Sequence, residues 1–310
     1  MLKLIISETK DFNLDVKDLL LKYFKVTMKQ VSESDLDQVF CKYDIFWFRL
    51  GFKIDSSVLD NPNIKVKVIV CPVTGLDHID VEKCNEKGIQ IISLKGENEF
   101  LKNVRATAEL SLLLSLELIR NSRNAINSVF AGNWDRDQFK GYELFEKKIA
   151  IIGYGRLGKI TADFFAAFGA NPTIYDKNLV NSKYPIAKNI SEALHNAFLC
   201  SLHISYSKEN IKFFDKKLIN MMPKGAYFVN TSRGSLVNES DLILALESGH
   251  LAGVATDVLN NEPDINESIL YGYAKNTNNV IITPHIGGNT FESFEKTEKF
   301  LAKKIIKLYG

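Results

Sequence analysis

Cysteine is scarce and scattered in this chain. Its 310 residues include four, Cys41, Cys71, Cys84 and Cys200, with no CxxC pair and no zinc-like spacing. That pattern argues against a disulfide-stapled secreted domain and a cysteine-based metal site, and no metal is expected. It fits buried thiols in a reducing, cytoplasmic setting. Long apolar runs are also missing. The most apolar stretch, Leu110 to Ile119, contains Glu117 and is too short to span a bilayer. Residues 1–8 carry a short apolar run and then a charge, which reads as a first strand rather than a signal peptide. Neither sign of charge dominates: 39 Lys and Arg face 37 Asp and Glu, a net charge of +2. A nucleic-acid binder would be expected to carry a clear basic excess. With 18 Gly and 7 Pro, turn residues are ordinary in number, and no collagen-like or low-complexity tract is present.

What is there reads as α/β. A length of 310 residues suggests two domains at about 150 residues each. In the first hundred residues, Leu2–Ile6, Ile45–Phe48 and Val66–Cys71 read as strands, and Asp15–Tyr23 and Val81–Lys87 as helices. One long helix is expected from Val104 to Val129, bridging to the next domain. An irregular, aromatic arm is expected over Phe130–Lys148. A second run of strands follows: Ile149–Ile152, Thr173–Tyr175, Phe198–His203, Ala226–Asn230, Gly253–Asp257 and Val280–Thr283. The last helix, Phe291–Leu308, carries Lys303, Lys304 and Lys307 on what reads as a solvated face, near the end its dipole favours. Alternation of this kind argues for parallel sheets with helical crossovers.

The sharpest motif is Gly153-Tyr154-Gly155-Arg156-Leu157-Gly158. A G-x-G-x-x-G run alone is weak, but here an apolar strand precedes it and a helical segment follows, as the mechanism requires. Gly153 permits the tight turn, Gly155 lets the backbone approach a pyrophosphate, and Gly158 allows close helix–strand packing. The helix N-terminus offers unpaired N–H groups to the anion. Asp176 lies 18 residues past Gly158, at the end of the next strand. A carboxylate there would accept the ribose hydroxyls and repel the extra phosphate of NADP, so NAD is expected. Lys177 beside it would soften that repulsion. The competing reading is a glycine-rich turn with no nucleotide.

Three strand ends carry reactive side chains. Residues 230–234 follow one strand and contain Arg233; residues 257–263 follow the next and contain Asp257 and Glu262; residues 283–288 follow the last and contain His285. Open α/β sheets bind ligands beyond such ends. A guanidinium clamps a carboxylate and polarises a carbonyl. A histidine exchanges a proton near neutral pH. Beside a nicotinamide, these groups suit reversible oxidation of a 2-hydroxy acid. Taken singly, each could be a surface arginine, a helix-start residue or a polar loop residue.

These motifs, in this order, resemble the D-isomer-specific 2-hydroxyacid dehydrogenase family. Thr74-Gly75-Leu76-Asp77-His78-Ile79-Asp80, Ala108-Glu109, Gly132-Asn133-Trp134, Leu202-His203 and Met222-Pro223-Lys224-Gly225-Ala226 extend the likeness over nearly the whole chain. The resemblance implies two Rossmann-like doubly wound parallel-sheet domains, with a cofactor domain, residues 104–285, inserted into a flavodoxin-like substrate domain, residues 1–103 plus 286–310. It implies an NAD-dependent enzyme interconverting a D-2-hydroxy acid and its 2-keto acid, phosphoglycerate-like or hydroxypyruvate/glyoxylate-like, in a short form without a regulatory domain. His285 would be the acid–base, Glu262 would orient it, and Arg233 would hold the substrate. The backbone of Val73, Thr74 and Gly75 would bind the substrate carboxylate. Asp257 would contact the nicotinamide, Arg156 the pyrophosphate, and His203 and Thr231 would lie by the cofactor. Partners would be the small acid and a second copy through the cofactor domain, with no nucleic acid or membrane. An NAD(H)-sensing binding protein on the same fold is the alternative reading.

The sequence also departs from the family. Ser205 stands where a proline usually follows Leu202-His203-Ile204. Cys71 stands where many phosphoglycerate-type members have arginine. Residues 93–105 form a longer connection than usual, which makes Arg49, Lys95 and Arg105 candidates for reading the distal group of an anionic or sugar-acid substrate. A solvated loop is the competing reading of that charge.

Overall fold

The computed structural model describes residues 1–178 and 181–310. They form two compact units: Met1–Val104 with Thr290–Gly310, and Arg105–Asn289. The second is therefore an insertion in the chain of the first. Residues 286–289, expected with the first unit, stay with the second. The reason is local, because Gly287 N–H bonds Asp257 at 2.7 Å and Gly287 O accepts from Thr107 Oγ1 at 3.0 Å.

The first unit holds a five-stranded parallel sheet in the order β2-β1-β3-β4-β5. Its strands are β1 (Lys3–Ile6), β2 (Lys25–Met28), β3 (Ile45–Trp47), β4 (Val68–Cys71) and β5 (Gln90–Ser93). Strand alternation sends Ile5, Phe46 and Ile69 to one core layer, and Leu4, Ile6, Ile45, Trp47, Val68 and Val70 to the other. The helix Phe291–Tyr309 covers that second layer with Leu301, Ala302 and Ile305. β2 and β5 escape a sequence reading because both are edge strands with mixed polarity, where pairing rather than burial makes the strand.

Residues 93–105 are not wholly irregular. They contain a short helix, Asn98–Leu101, fastened to the last helix. Phe100 stacks on Phe300 with centroids 4.1 Å apart, Lys304 pairs with Glu97, and Lys296 Nζ donates to Asn103 O at 3.1 Å. Lys304 is thus part of a packed contact and not of a merely solvated face.

The second unit holds six parallel strands in the order β11-β10-β9-β8-β6-β7. These are β6 (Lys148–Ile152), β7 (Asn171–Tyr175), β8 (Leu199–Leu202), β9 (Ala226–Asn230), β10 (Leu251–Thr256) and β11 (Val280–Ile282). β6, β8 and β9 are buried almost throughout, as expected of strands covered on both faces. The single long helix expected over Val104–Val129 is two: Ala106–Ile119 and Ser122–Phe130. Asn121 breaks it with φ +53°, a conformation Asn tolerates. The break frees Ile119 O, which accepts from Tyr142 N at 3.0 Å. Gly141 makes that approach possible, since a Cβ there would lie 2.4 Å from Ile119 O. Among the described residues, no helix is long and apolar enough to cross a membrane.

Candidate active site and nucleotide loop

The glycine loop joins β6 to the helix Arg156–Ala167, with Gly155 as its N-cap. Its three glycines meet three different demands. Gly153 has φ +93°, and a Cβ there would lie 2.6 Å from the carbonyl carbon of His203. A Cβ on Gly158 would lie 2.1 Å from Gly153 O. On Gly155 it would meet nothing within 4 Å. The outer two glycines are thus required by the protein's own packing, whereas the middle one lies exposed before the helix N-terminus. An open backbone beside unpaired helix N–H groups fits a pyrophosphate. Asp176 follows β7 and accepts from Tyr154 N at 2.7 Å and Asn178 N at 2.9 Å. A carboxylate has about four lone-pair sites, so capacity for ribose hydroxyls remains. The residues present therefore fit a dinucleotide. Arg156 opens the helix, and burial lowers its pKa. Leu157 is half-buried in the same turn.

His203 and Thr231, both expected by the cofactor, are engaged with the protein. His203 Nε2 lies 2.8 Å from Ser201 Oγ, and burial pushes its pKa down to about 4, so the ring is neutral at pH 7. Thr231 is buried, and its hydroxyl lies 2.7 Å from Ser111 Oγ on the helix Ala106–Ile119.

His285, Glu262 and Asp257 are brought together. His285 Nδ1 lies 2.7 Å from Glu262 Oε1, and Leu259 N donates to Glu262 Oε2 at 3.3 Å. The two side chains are 27% and 29% exposed, which leaves them open to a small molecule. Among the described residues, no protein group bonds His285 Nε2, so that nitrogen is available. The His285 backbone has φ +54°, an uncommon conformation for histidine. Asp257 holds it there. Asp257 O accepts from His285 N at 2.9 Å. Its carboxylate accepts from Thr283 Oγ1 (2.6 Å), Ile286 N (2.8 Å) and Gly287 N (2.7 Å). Burial raises the Asp257 pKa against the pull of these donors. This loop-shaping work of Asp257 was not visible in the sequence; its signal was an acid followed, one strand later, by Thr-Pro-His-Ile-Gly.

Arg233 follows β9 and is half-buried. Asn230 Nδ2 donates to Arg233 O at 2.9 Å, and Arg233 Nη1 to Ser232 O at 2.8 Å. Its loop lies hard against the Glu262 loop, since a Cβ on Gly234 would come within 2.0 Å of the Leu259 carbonyl carbon.

In the first unit, Val73, Thr74 and Gly75 follow β4, and Val73 O accepts from Leu94 N at 3.0 Å. Lys95 and Arg105 are exposed. Arg49 is not free: its Nη2 lies 2.6 Å from Oε1 of the fully buried Glu298, and its guanidinium sits 4.0 Å over the Phe294 ring. Glu298 was missed because one acid in a charged amphipathic helix carries no signal of burial. Among the described residues, no cluster of His, Cys, Asp and Glu could hold a metal ion.

Comparison with known proteins adds four findings. Residues 112–287 match the model of the D-isomer specific 2-hydroxyacid dehydrogenase NAD binding domain. The chain is 33% identical over 270 residues to a D-3-phosphoglycerate dehydrogenase of Methanocaldococcus jannaschii, covering 86% of this chain and 49% of that one. It is 28% identical over 287 residues to a hydroxypyruvate reductase of Thermotoga maritima, covering 92% and 91%. The chain thus spans about half the length of the first relative and nearly all of the second. Its fold is also that of D-lactate dehydrogenase from Aquifex aeolicus, solved with NAD and lactic acid, with a TM-score of 0.80, 24% identity, and coverage of 98% of this chain and 95% of that one.

Proposed function

The chain belongs to the D-isomer specific 2-hydroxyacid dehydrogenase family, and from that premise we propose that it interconverts a D-2-hydroxy acid and its 2-keto acid with NAD. One observation carries the reading: His285 is held by Glu262 at 2.7 Å with its second nitrogen open, at the carboxyl edge of a sheet whose glycine loop fits a dinucleotide. NAD is favoured over NADP because Asp176 sets a negative charge where the extra phosphate would lie.

Bound nicotinamide supplies or accepts the hydride. The protein's residues do the rest. Arg233 offers paired N–H groups to the substrate carboxylate and its 2-oxygen. His285 Nε2 gives a proton to the 2-oxygen in reduction and takes it back in oxidation. Glu262 keeps the proton of Nδ1 and fixes the tilt of the ring. Asp257 fixes the backbone from which the ring projects. In this reading the second unit is the cofactor domain and the first the substrate domain. The protein works in a reducing cytoplasm as a homodimer, an association supported by the exposed Phe130 and Trp134 of the arm. Names of relatives support hydroxypyruvate, glyoxylate or phosphoglycerate-type acids as the substrate class.

The test is direct. Purified protein, NADH and a panel of 2-keto acids are followed by absorbance, with His285→Ala alongside. Turnover should fall by about 100-fold or more while NADH binding persists. Equal turnover in the variant would refute the assigned acid–base.

A further inference from the structure

We infer that Glu239 is a positioning residue for the proposed acid–base, because its carboxylate fastens both ends of the loop that carries Glu262. The inference rests on the dehydrogenase reading above and deepens it. Every group involved lies in the second unit.

Glu262 sits in a stretch with little regular structure of its own. Between β10 and the helix Ile269–Ala274 the chain makes only a short 3-10 turn, Ile265–Glu267. The Glu262 carboxylate accepts from Leu259 N of the same stretch, so its place is set by that backbone. Its contact with His285 Nδ1 at 2.7 Å tolerates little displacement, because hydrogen bonds weaken steeply with poor alignment. The stretch therefore needs an anchor outside itself.

Glu239 supplies one. It is half-buried as the first residue of the helix Glu239–Glu247, six residues past Arg233. Its Oε1 accepts from Asn260 N at 3.3 Å, two residues before Glu262. Its Oε2 accepts from Leu270 N at 3.2 Å, eight residues after Glu262. The hydroxyl of the buried Ser268 donates between the two oxygens, at 3.1 and 3.0 Å. One oxygen thus holds the start of the stretch and the other its end. An acid in a first helical turn also suits the helix dipole, but that role needs none of these contacts. A carboxylate accepts at about four lone-pair sites, which suits three converging donors. An amide does not: whichever way a Gln side chain is turned, its NH2 faces the N–H at one end. The segment that bears the proposed substrate arginine therefore also bears the strut of the acid–base.

Glu239→Gln, made alone and in a Glu262→Gln background, separates positioning from general support of the fold. The substrate is the 2-keto acid that wild type reduces fastest with NADH. Alone, the change should lower kcat about tenfold or more, with NADH affinity and the KM of the acid altered less than about threefold. In the Glu262→Gln background it should cost less than about twofold, because the carboxylate it positions is already gone. If Glu239→Gln does not fold, Ser268→Ala makes the same comparison. Its fall in kcat should be about threefold and should vanish in the Glu262→Gln background. A merely structural role gives the same fall in both backgrounds. That result, an unchanged kcat in Glu239→Gln, or a loss of NADH affinity in step with kcat overturns the inference, and in an active enzyme it refutes the inference alone. Wild-type turnover of no 2-keto acid at all refutes the dehydrogenase reading and this inference with it.

Discussion

Glu262 Oε1 lies 2.7 Å from Nδ1 of His285, on the side of the ring away from the open nitrogen. The carboxylate therefore decides which nitrogen carries the fixed proton. Glu262→Gln keeps the size but can present its amide N–H to Nδ1, favouring the wrong tautomer. We expect kcat to fall by about 10- to 1000-fold with NADH affinity little changed. Stopped-flow hydride transfer and NADH fluorescence check it, and an equal loss in both would assign Glu262 a structural role instead.

The glycine loop separates packing from ligand approach. Gly158→Ala should cost about 1–3 kcal/mol of stability, since its Cβ meets the Gly153 carbonyl. Gly155→Ala has open space and an ordinary φ of −69°. It should keep stability within about 0.5 kcal/mol but weaken NADH binding about tenfold, because the methyl would take the place proposed for the pyrophosphate. Chemical denaturation and NADH titration on the two variants measure this pair. Reversal of the two effects would deny the loop its assigned ligand.

His203 makes stability depend on acid. The folded chain keeps this ring neutral down to about pH 4. An unfolded histidine binds its proton near 6.5. Between those values the unfolded state holds more protons, so the contribution is complete above about pH 6.5 and is lost as pH falls toward 4. Lowering the pH from 7 to 5 should cost wild type about 2 kcal/mol more than His203→Gln. Urea midpoints at the two pH values give the comparison. Parallel losses would show that burial does not hold this ring neutral.

The arm after Asn121 presents Phe130 and Trp134 at 85% and 89% exposure. Aromatic surface of that kind is what the proposed dimer would cover. Sedimentation should show a dimer for wild type and a shift toward monomer for Phe130→Glu with Trp134→Glu. A monomeric wild type would remove the proposed association.

How much could be read in advance differs by residue. The glycine loop and its Asp176 partner were legible because backbone sterics and charge act within one local unit. The strand-end polar residues were legible because burial on both faces marks the strands before them. β2 and β5 were not, since their pairing is set by neighbours distant in the chain. The break at Asn121 was hidden because apolar spacing continues past it, and only the returning arm at Gly141 gives the freed carbonyl a partner. The pairing of Arg49 was not legible, because Glu298 arrives from the other end of the chain.

The contact between Gly234 and Leu259 leaves no room for the loops bearing Arg233 and Glu262 to slide past one another. Arg233 and the Glu262 backbone must then shift together. A lengthened 231–234 loop would therefore press on the Glu262 loop and, through the 2.7 Å contact of Glu262 with His285, disturb the proposed acid–base even with every reactive side chain intact.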